Sequence, residues 1–508
     1  MEKYGIIDIG SNTMRLVIFQ QDRSGRLKEI ENVKVVARLR EYLTEDYILT
    51  NRGVDVLLSA LNSFQKVTRH HKLDEIKCVA TATIRQAVNQ KEIITSVENK
   101  TDFSMRVLSE YEEAYYGYLA VANSTALETG ITVDIGGGST EVTYFENREL
   151  KEYHSFPFGA VSLKKQFISG DVPSENEIVK LRDFIAGSFK SLPWIQGKKV
   201  NLVGIGGSAR NMVQIDQAAR QYPFAGVHQY KMNRENIYHI KRFLASLSFQ
   251  DLQRVEGLSK DRADIIIPAV EVFHTLAELI NTDTFILSRK GLRDGIFYEE
   301  LTKNFGVSKF PNVVEESFYE LATDYDINLN HVYHVTKILT DLISLLGREG
   351  VLSFSKEEMV LLKRGAFVYN LGQYIDSESS SQHTFYLLAN RTIDGLLHMQ
   401  RLKLALVASY RSKASFRQYI GPYESWFSKE EQKNLRLMGA LLKFAYSLNA
   451  TKRNIVKEIS LAKDEEGYYL TVACSDDWQP EQYQVEKEKK HLEKTLKSSI
   501  NVNFVKAK

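Results

Sequence analysis

At 508 residues the chain is too long for one hydrophobic core and should divide into about three or four domains. Its 66 basic and 64 acidic residues leave a formal charge of +2, which excludes a generally basic, nucleic-acid-coating surface, so any polyanion must be gripped locally. Cys78 and Cys474 are too few for a disulfide framework or a cysteine metal site, and no signal segment or membrane-length apolar run is written, so a cytoplasmic protein without membrane or nucleic-acid partners is expected.

The first region, residues 1 to 125, opens on a hairpin over 4 to 19. Ile7-Asp8-Ile9-Gly10-Ser11-Asn12-Thr13-Met14-Arg15 is an apolar strand that ends in Asp, turns through Gly and Ser, and continues into Leu16-Val17-Ile18-Phe19. A third strand is predicted around Val33 to Leu39, a helix over 51 to 70, and a strand Ile76 to Ala80 that ends at Thr81-Ala82-Thr83-Ile84-Arg85. A helix near Lys91 to Asn99 and the strand Met105 to Leu108 follow, then Ser109-Glu110-Tyr111-Glu112-Glu113-Ala114 and an amphipathic helix. Open α/β proteins place ligands where strand ends feed helices, which is where Arg85 and the Glu112/Glu113 pair fall.

The second region, 126 to 304, repeats the opening as Val133-Asp134-Ile135-Gly136-Gly137-Gly138-Ser139-Thr140-Glu141, then Val142-Thr143-Tyr144-Phe145. Asp8 to Asp134, Gly10 to Gly136 and Phe19 to Phe145 share one offset of 126 positions, for which a duplicated domain is the simplest cause. If 10 to 13 and 136 to 139 form the turns, Asp8 opposes Arg15 and Asp134 opposes Glu141, with Cβ atoms roughly 5 Å apart. The first pair offers a fixed cation able to grip phosphate oxygens through two bonds. The second brings two carboxylates together, which suits a hard divalent ion whose shell substrate phosphates complete. The Gly-rich turns let backbone N–H groups approach an anion. A helix around Ser174 to Ser191 leads to the strand Val200 to Gly204 and a second Gly-rich turn, Gly206-Gly207-Ser208, at a helix N-terminus. The strand Thr284 to Ser288 then meets Gly291-Leu292-Arg293-Asp294-Gly295 and a short helix to about Asn304. Arg293 and Asp294 could pair with each other.

Taken as an ordered set, Asp8 to Asn12, Thr81 to Arg85, Glu112-Glu113-Ala114, Asp134 to Glu141, Gly206-Gly207-Ser208 and Gly291 to Gly295 resemble the exopolyphosphatase and guanosine pentaphosphate phosphohydrolase (Ppx/GppA) family. The resemblance implies an α/β fold of two duplicated actin-like, ribonuclease-H-like domains clamping phosphates in a cleft. It implies that Glu113 is the general base for the attacking water and that Asp134 and Glu141 bind Mg²⁺. Ser11, Asn12, Arg15 and Arg85 would bind phosphate from the first domain, and Gly136, Gly137, Gly138, Ser139, Gly206, Gly207 and Ser208 from the second. A monovalent cation is a further candidate cofactor, and a homodimer is expected. The expected activity is exopolyphosphatase. Its rivals are pppGpp 5′-phosphohydrolase, a kinase of the same fold, for which neither an acceptor-site Asp base nor an adenine pocket is clearly written, and a non-catalytic sensor, against which Glu113, Asp134 and Glu141 argue.

Residues 305 to 312, with Gly306 and Pro311, read as a linker to a mostly helical domain over 311 to 450. There Gly365 to Gly372 resembles the helix carrying the His-Asp pair of HD-type metal phosphohydrolases, with Tyr369-Asn370 in the pair's place. A phenol and an amide cannot replace imidazole and carboxylate as ligands of a catalytic metal pair, so His334 and His383 are not expected to hold metal. A degenerate HD-like bundle that lengthens the substrate channel is expected. Some of Lys363, Arg364, Arg401, Lys403, Arg411, Lys413, Arg417, Lys452 and Arg453 would line a groove for long polyphosphate. The tail, 451 to 508, reads as a small α+β domain. It has paired strands Ile455 to Leu461 and Tyr468 to Cys474 around Asp464-Glu465-Glu466-Gly467, a charged helix Glu481 to Lys497 and a last strand Val502 to Val505.

Overall fold

The computed structural model describes residues 2–21, 27–303, 306–465 and 467–507. Two compact units divide them: Met1–Tyr222 with Val227–Val313, and Pro223–Gly226 with Val314–Lys508. Asn304 and Glu466, named above at a helix end and a turn, lie outside the described residues.

The first unit contains two sheets of mixed direction. One holds β1 (Lys3–Ile9), β2 (Thr13–Gln21), β3 (Leu27–Val36), β4 (Glu75–Ala80) and β5 (Met105–Val107) in the order β3-β2-β1-β4-β5. The other holds β6 (Gly130–Ile135), β7 (Thr140–Glu146), β8 (Glu149–Phe156), β9 (Asn201–Ile205), β10 (Lys231–Met232) and β11 (Phe285–Leu287) in the order β10-β11-β9-β6-β7-β8. In both, an antiparallel meander supplies three strands, and the first of them pairs parallel with a later strand. The hairpins β1–β2 and β6–β7 therefore hold the same place in their sheets.

Each sheet has its own apolar core, and a third cluster joins them. That cluster packs Ile6, Val17 and Val79 of the first sheet and Phe145, Val203 and Ile205 of the second against Tyr116, Leu119, Ile296 and Phe297. The helices Glu110–Ala122 and Leu292–Lys303, which carry the last four residues, lie against each other. A carboxylate or guanidinium at the ends of these helices is thus held by buried packing rather than by a surface loop.

β3 begins earlier and ends earlier than the predicted 33 to 39. Its polar first half is an edge strand with one face open to solvent, which weakens the apolar signal. It stops at Val36 because the Asn12 carbonyl accepts from the Ala37 and Arg38 N–H groups and turns the chain. Several elements have no counterpart in the prediction, among them β8, the helix Arg234–Ala245 and the helix Ile266–Ile280, which is buried on nearly every face. A helix without a polar face has no 3.6-residue alternation to read.

In the second unit, helices over 314 to 447 surround apolar stripes such as Val332, Val335, Leu339, Leu342 and Leu346, whose three- and four-residue steps set one helix face inward. A sheet of order β12-β13-β14 follows, from β12 (Val456–Lys463), β13 (Tyr468–Cys474) and β14 (Ile500–Lys506), with the helix Gln479–Leu496 packed on Lys429–Ser447. The expected basic groove loses several of its members here. Arg401 is 2% exposed and donates to the carbonyls of Arg391 and Ala225, serving the fold. Lys403 pairs with Glu431 and Arg453 with Glu481, while Lys363, Arg411, Lys413, Arg417 and Lys452 remain exposed.

Candidate active site

Both hairpins adopt the register that their turn lengths require: Asp8 opposes Arg15 and Asp134 opposes Glu141. The turns close alike, the Gly10 N–H donating to Thr13 O at 3.1 Å and the Gly136 N–H to Ser139 O at 3.0 Å. With the start of the helix Gly206–Ala219 they border a cleft of about 410 Å³. No side chain caps that helix, so its first N–H groups are left for a ligand. Gly206 sits at φ +86°, and a Cβ there would lie 2.5 Å from Asp134 Oδ1, so only glycine lets this turn approach the acid.

Among the predicted site residues, Ser11, Asn12, Arg15, Glu113, Asp134, Gly136, Gly137, Ser139, Glu141, Gly206 and Gly207 line the cleft. Asn12 Nδ2 is buried without a hydrogen-bond partner among the described residues, while Ser11 Oγ accepts from Thr83 Oγ1 at 2.8 Å. Three predicted phosphate ligands are absent from the lining. Gly138 packs on Ser11 and Arg40, and Ser208 Oγ accepts from Arg262 at 3.3 Å. Arg85 Nη1 donates to Glu113 Oε2 at 2.7 Å and to the Leu108 carbonyl at 3.0 Å, so this nitrogen ties Glu113 to the strand end that precedes its helix.

Glu112 and Glu113 divide their work. Glu112 closes the capping box with Ser109 and pairs with Arg106 at 2.6 Å, so it is the acid of the helix start. Glu113, one residue on, is 12% exposed and faces the cleft. Burial, then the charges of Asp134 and Asp8, push its carboxyl up to about 7 against the lowering pull of Arg85. Asp134 rises to about 6 through burial and the charge of Asp8, although Arg293 and Arg262 oppose the shift. Glu141 is held well above the ordinary range by burial, Glu113 and Asp134, even though Ser155 Oγ donates to it at 2.9 Å.

Asp8 opposes Arg15 across the strands as expected, but the two side chains bond to other partners. Arg293 donates to Asp8 at 2.8 Å, and Arg15 instead donates to Asn32 Oδ1 at 2.8 Å. Arg293 therefore does not pair with Asp294, which accepts from the Gly291 N–H and pairs with Lys290. Five further cations, Lys34, Arg210, Arg262, Arg289 and Arg293, share the lining with Arg15. Burial and mutual repulsion lower the affinity of Arg15 and Arg210 for their protons, and burial does the same at Arg262. Such crowding costs free energy until an anion lies among them. Among the described residues, no aromatic side chain belongs to this lining.

Among the described residues, no three or more His, Cys, Asp or Glu side chains are arranged as a metal cage. Asp134 and Glu141 nevertheless suit a hard cation: the Asp134 carboxylate has no hydrogen-bond donor there, and both acids are destabilised by burial and like charge. Mg²⁺ is commonly bound by one or two carboxylates, with substrate phosphates and water filling its shell. Among the described residues, no helix is long and apolar enough to cross a membrane.

A cationic, aromatic-free cleft with a raised carboxyl beside an acid pair, set at the ends of mixed sheets, defines a phosphate-handling α/β protein. The chain belongs to the Ppx/GppA phosphatase family, whose sequence model matches residues 17–304, and the model of the family's domain III matches residues 313–495. Exopolyphosphatase 1 of Mycobacterium tuberculosis is 25% identical over 304 residues, covering 59% of this chain and 88% of that protein. The guanosine-5′-triphosphate,3′-diphosphate pyrophosphatase of Aeromonas hydrophila is 23% identical over 492 residues, 94% of each. The crystal structure of the Aquifex aeolicus Ppx/GppA family member superposes with a TM-score of 0.53 at 27% identity, over 60% of this chain and 98% of that one.

Proposed function

We propose that the chain is an exopolyphosphatase that hydrolyses the terminal phosphoanhydride bond of inorganic polyphosphate. The observation that carries this reading is the lining of the cleft: six cations and no ring on which a base could stack. A chain of phosphates is recognised by charge and hydrogen bonds alone, whereas a nucleoside needs an apolar or aromatic platform.

Phosphoryl transfer asks for positioning and charge neutralisation more than for covalent help. Glu113, with a carboxyl near 7, is suited to take a proton from water and return it. Arg85 fixes its orientation. The water oxygen bonds to the terminal phosphorus, the bridging P–O bond breaks, and orthophosphate leaves as the shortened chain keeps the bridging oxygen. Arg15, Arg210, Arg262, Arg289 and Arg293 hold the phosphoryl oxygens and spread their charge. Asp134 and Glu141 would hold Mg²⁺, which when bound supplies electrostatic stabilisation of the transferring phosphoryl group. In the same reading the two sheets are duplicated actin-like domains over 1 to 125 and 126 to 304. The helical region is a degenerate HD-like domain, the tail a separate α+β domain, and the working form a cytoplasmic homodimer.

A second reading, pppGpp 5′-phosphohydrolase, is favoured by the pyrophosphatase relative that matches nearly the whole chain. Orthophosphate release from long polyphosphate, short polyphosphate and pppGpp, measured for wild type beside Glu113→Gln, tests both. The variant should keep the wild-type melting profile and lose about 10²- to 10⁴-fold in turnover. A near-normal rate would remove Glu113 from the role of base, and a higher kcat/KM on pppGpp than on polyphosphate would establish the second reading.

A further inference from the structure

The second unit by itself holds a cavity of about 650 Å³, larger than the cleft of the first. It opens between the turn at 325–328, the start of Leu329–Arg348, the segment Phe367–Tyr374, the end of Lys429–Ser447, and Gln484 and Glu488 of the last long helix. Among the described residues its lining differs from the cleft's in carrying tyrosine rings, beside the charged Asp326, Lys443, Lys452 and Glu488. The rings of Tyr369 and Tyr446 lie 4.2 Å apart, His331 meets Tyr446 edge-on at 5.2 Å, and Tyr374, 62% exposed, stands edge-on to Tyr325 at 5.3 Å.

Several polar groups on these walls have no use inside the protein. His331 is 7% exposed, and its Nδ1 accepts from Asn449 Nδ2 at 2.8 Å. Asn449 is oriented in turn, since its Oδ1 accepts from the Asn454 N–H at 3.0 Å. Burial, with Lys452 and His334 nearby, lowers the His331 pKa to about 4, so the ring is neutral and its one hydrogen sits on Nε2. That donor, the Tyr369 hydroxyl and the Asn370 side-chain amide find no acceptor or donor among the described residues. The charges limit what can enter. Lys443 is paired with Glu488 at 2.6 Å, which leaves the exposed Lys452, among the described residues, as the lining's cation without an ion-pair partner, with Asp326 the remaining acid.

We propose that this cavity binds a nucleoside monophosphate, its base against the Tyr369 and Tyr446 rings, its polar edge on His331 Nε2 and Asn370, and its phosphate at Lys452. The volume lies in the range of small-molecule sites, most of whose walls are apolar or aromatic with a few placed polar groups. Base–ring stacking is tolerant of base identity, so the aromatic walls set the ligand class and the donors set its preference. A polyphosphate has no reason to enter, because a single free cation cannot neutralise it.

Titration calorimetry of the full chain with GMP, AMP, UMP and CMP, beside ribose 5-phosphate and inorganic phosphate, tests the site. At least one nucleotide should bind once per chain with Kd below about 1 mM, and at least about tenfold more tightly than ribose 5-phosphate. Lys452→Glu, a surface change, should weaken that nucleotide by about tenfold and leave the matching nucleoside unchanged. Asn370→Gly, which suits the left-handed backbone there (φ +61°) and removes a group from the base's polar edge, should weaken both. Hydrogen exchange with the nucleotide bound should show protection at 325–332 and 369–374. Nucleotides binding no better than ribose 5-phosphate, or protection confined to 134–141 and 206–212, would overturn the proposal.

Discussion

The hairpins β1–β2 and β6–β7 share a turn length, a closing hydrogen bond and a position in their sheets, yet their electrostatics are opposite. Asp8 faces Arg15 across the strands and receives Arg293 from the far end of the unit, so its charge is compensated within the protein. Asp134 faces Glu141, and among the described residues no guanidinium or ammonium bonds to either one. Identical backbones thus give one finished ion pair and one pair of anions that a cation would complete. The cross-strand residue, Arg or Glu, and the arrival of Arg293 at Asp8 together separate the two.

The largest effect is expected where the second hairpin depends on that cation. Asp134→Asn keeps the shape of the side chain and removes half of the acid pair, and should cut orthophosphate release by about 10²- to 10³-fold. A magnesium titration of the rate should lose its saturation. A small loss with normal magnesium dependence would show that the acid pair has no metal role and that the hairpins do not differ in kind. Next in size, Arg15→Glu gives the first hairpin the charge pattern of the second. Removing one phosphate-gripping fork and adding an anion should raise KM for polyphosphate by about tenfold or more while kcat changes less, in initial-rate assays at constant salt. An equal fall in kcat would place Arg15 at the reacting phosphoryl group instead.

The hairpin registers were legible because strand pairing has period two and a four-residue turn allows only one alignment of the flanking residues. What could not be read is which partner each side chain takes once distant segments arrive. Asp8 and Arg293 are 285 positions apart, and Arg262 and Arg289 lie in stretches whose charges look like ordinary solvated surface. For Arg289 and Arg293 the convergence is a product of topology, because the end of β11 delivers its following segment to the cleft, whereas Arg262 arrives from the turn before the helix Ile266–Ile280. Glu112 and Glu113 were visible as a pair. Their division required the capping box to be seen, although Ser109 three residues before Glu112 is its written signature. Arg401 misled for a different reason: a long side chain in a helix reads as surface until the carbonyls that accept from it are in place.

The smallest effect is one of stability, and its sign follows from the same asymmetry. Glu141 has its pKa raised by burial and by the neighbouring acids, so the folded chain retains a proton that the unfolded chain gives up above about pH 4.5. Wherever the folded state holds the extra proton, stability falls as pH rises. The loss accumulates from there upward until the Glu141 carboxyl ionises in the folded chain as well. Glu141→Gln removes the titration and leaves an oxygen to accept from Ser155. Without divalent ions the variant should therefore melt about 2 °C higher than wild type near pH 7.5, and the gain should vanish near pH 4. Adding magnesium should reverse the order, because an ion that binds only the folded wild type stabilises it by mass action. If Glu141→Gln melts lower than wild type at neutral pH without metal, the two acids are not a strained pair. The second hairpin would then be as complete within the protein as the first.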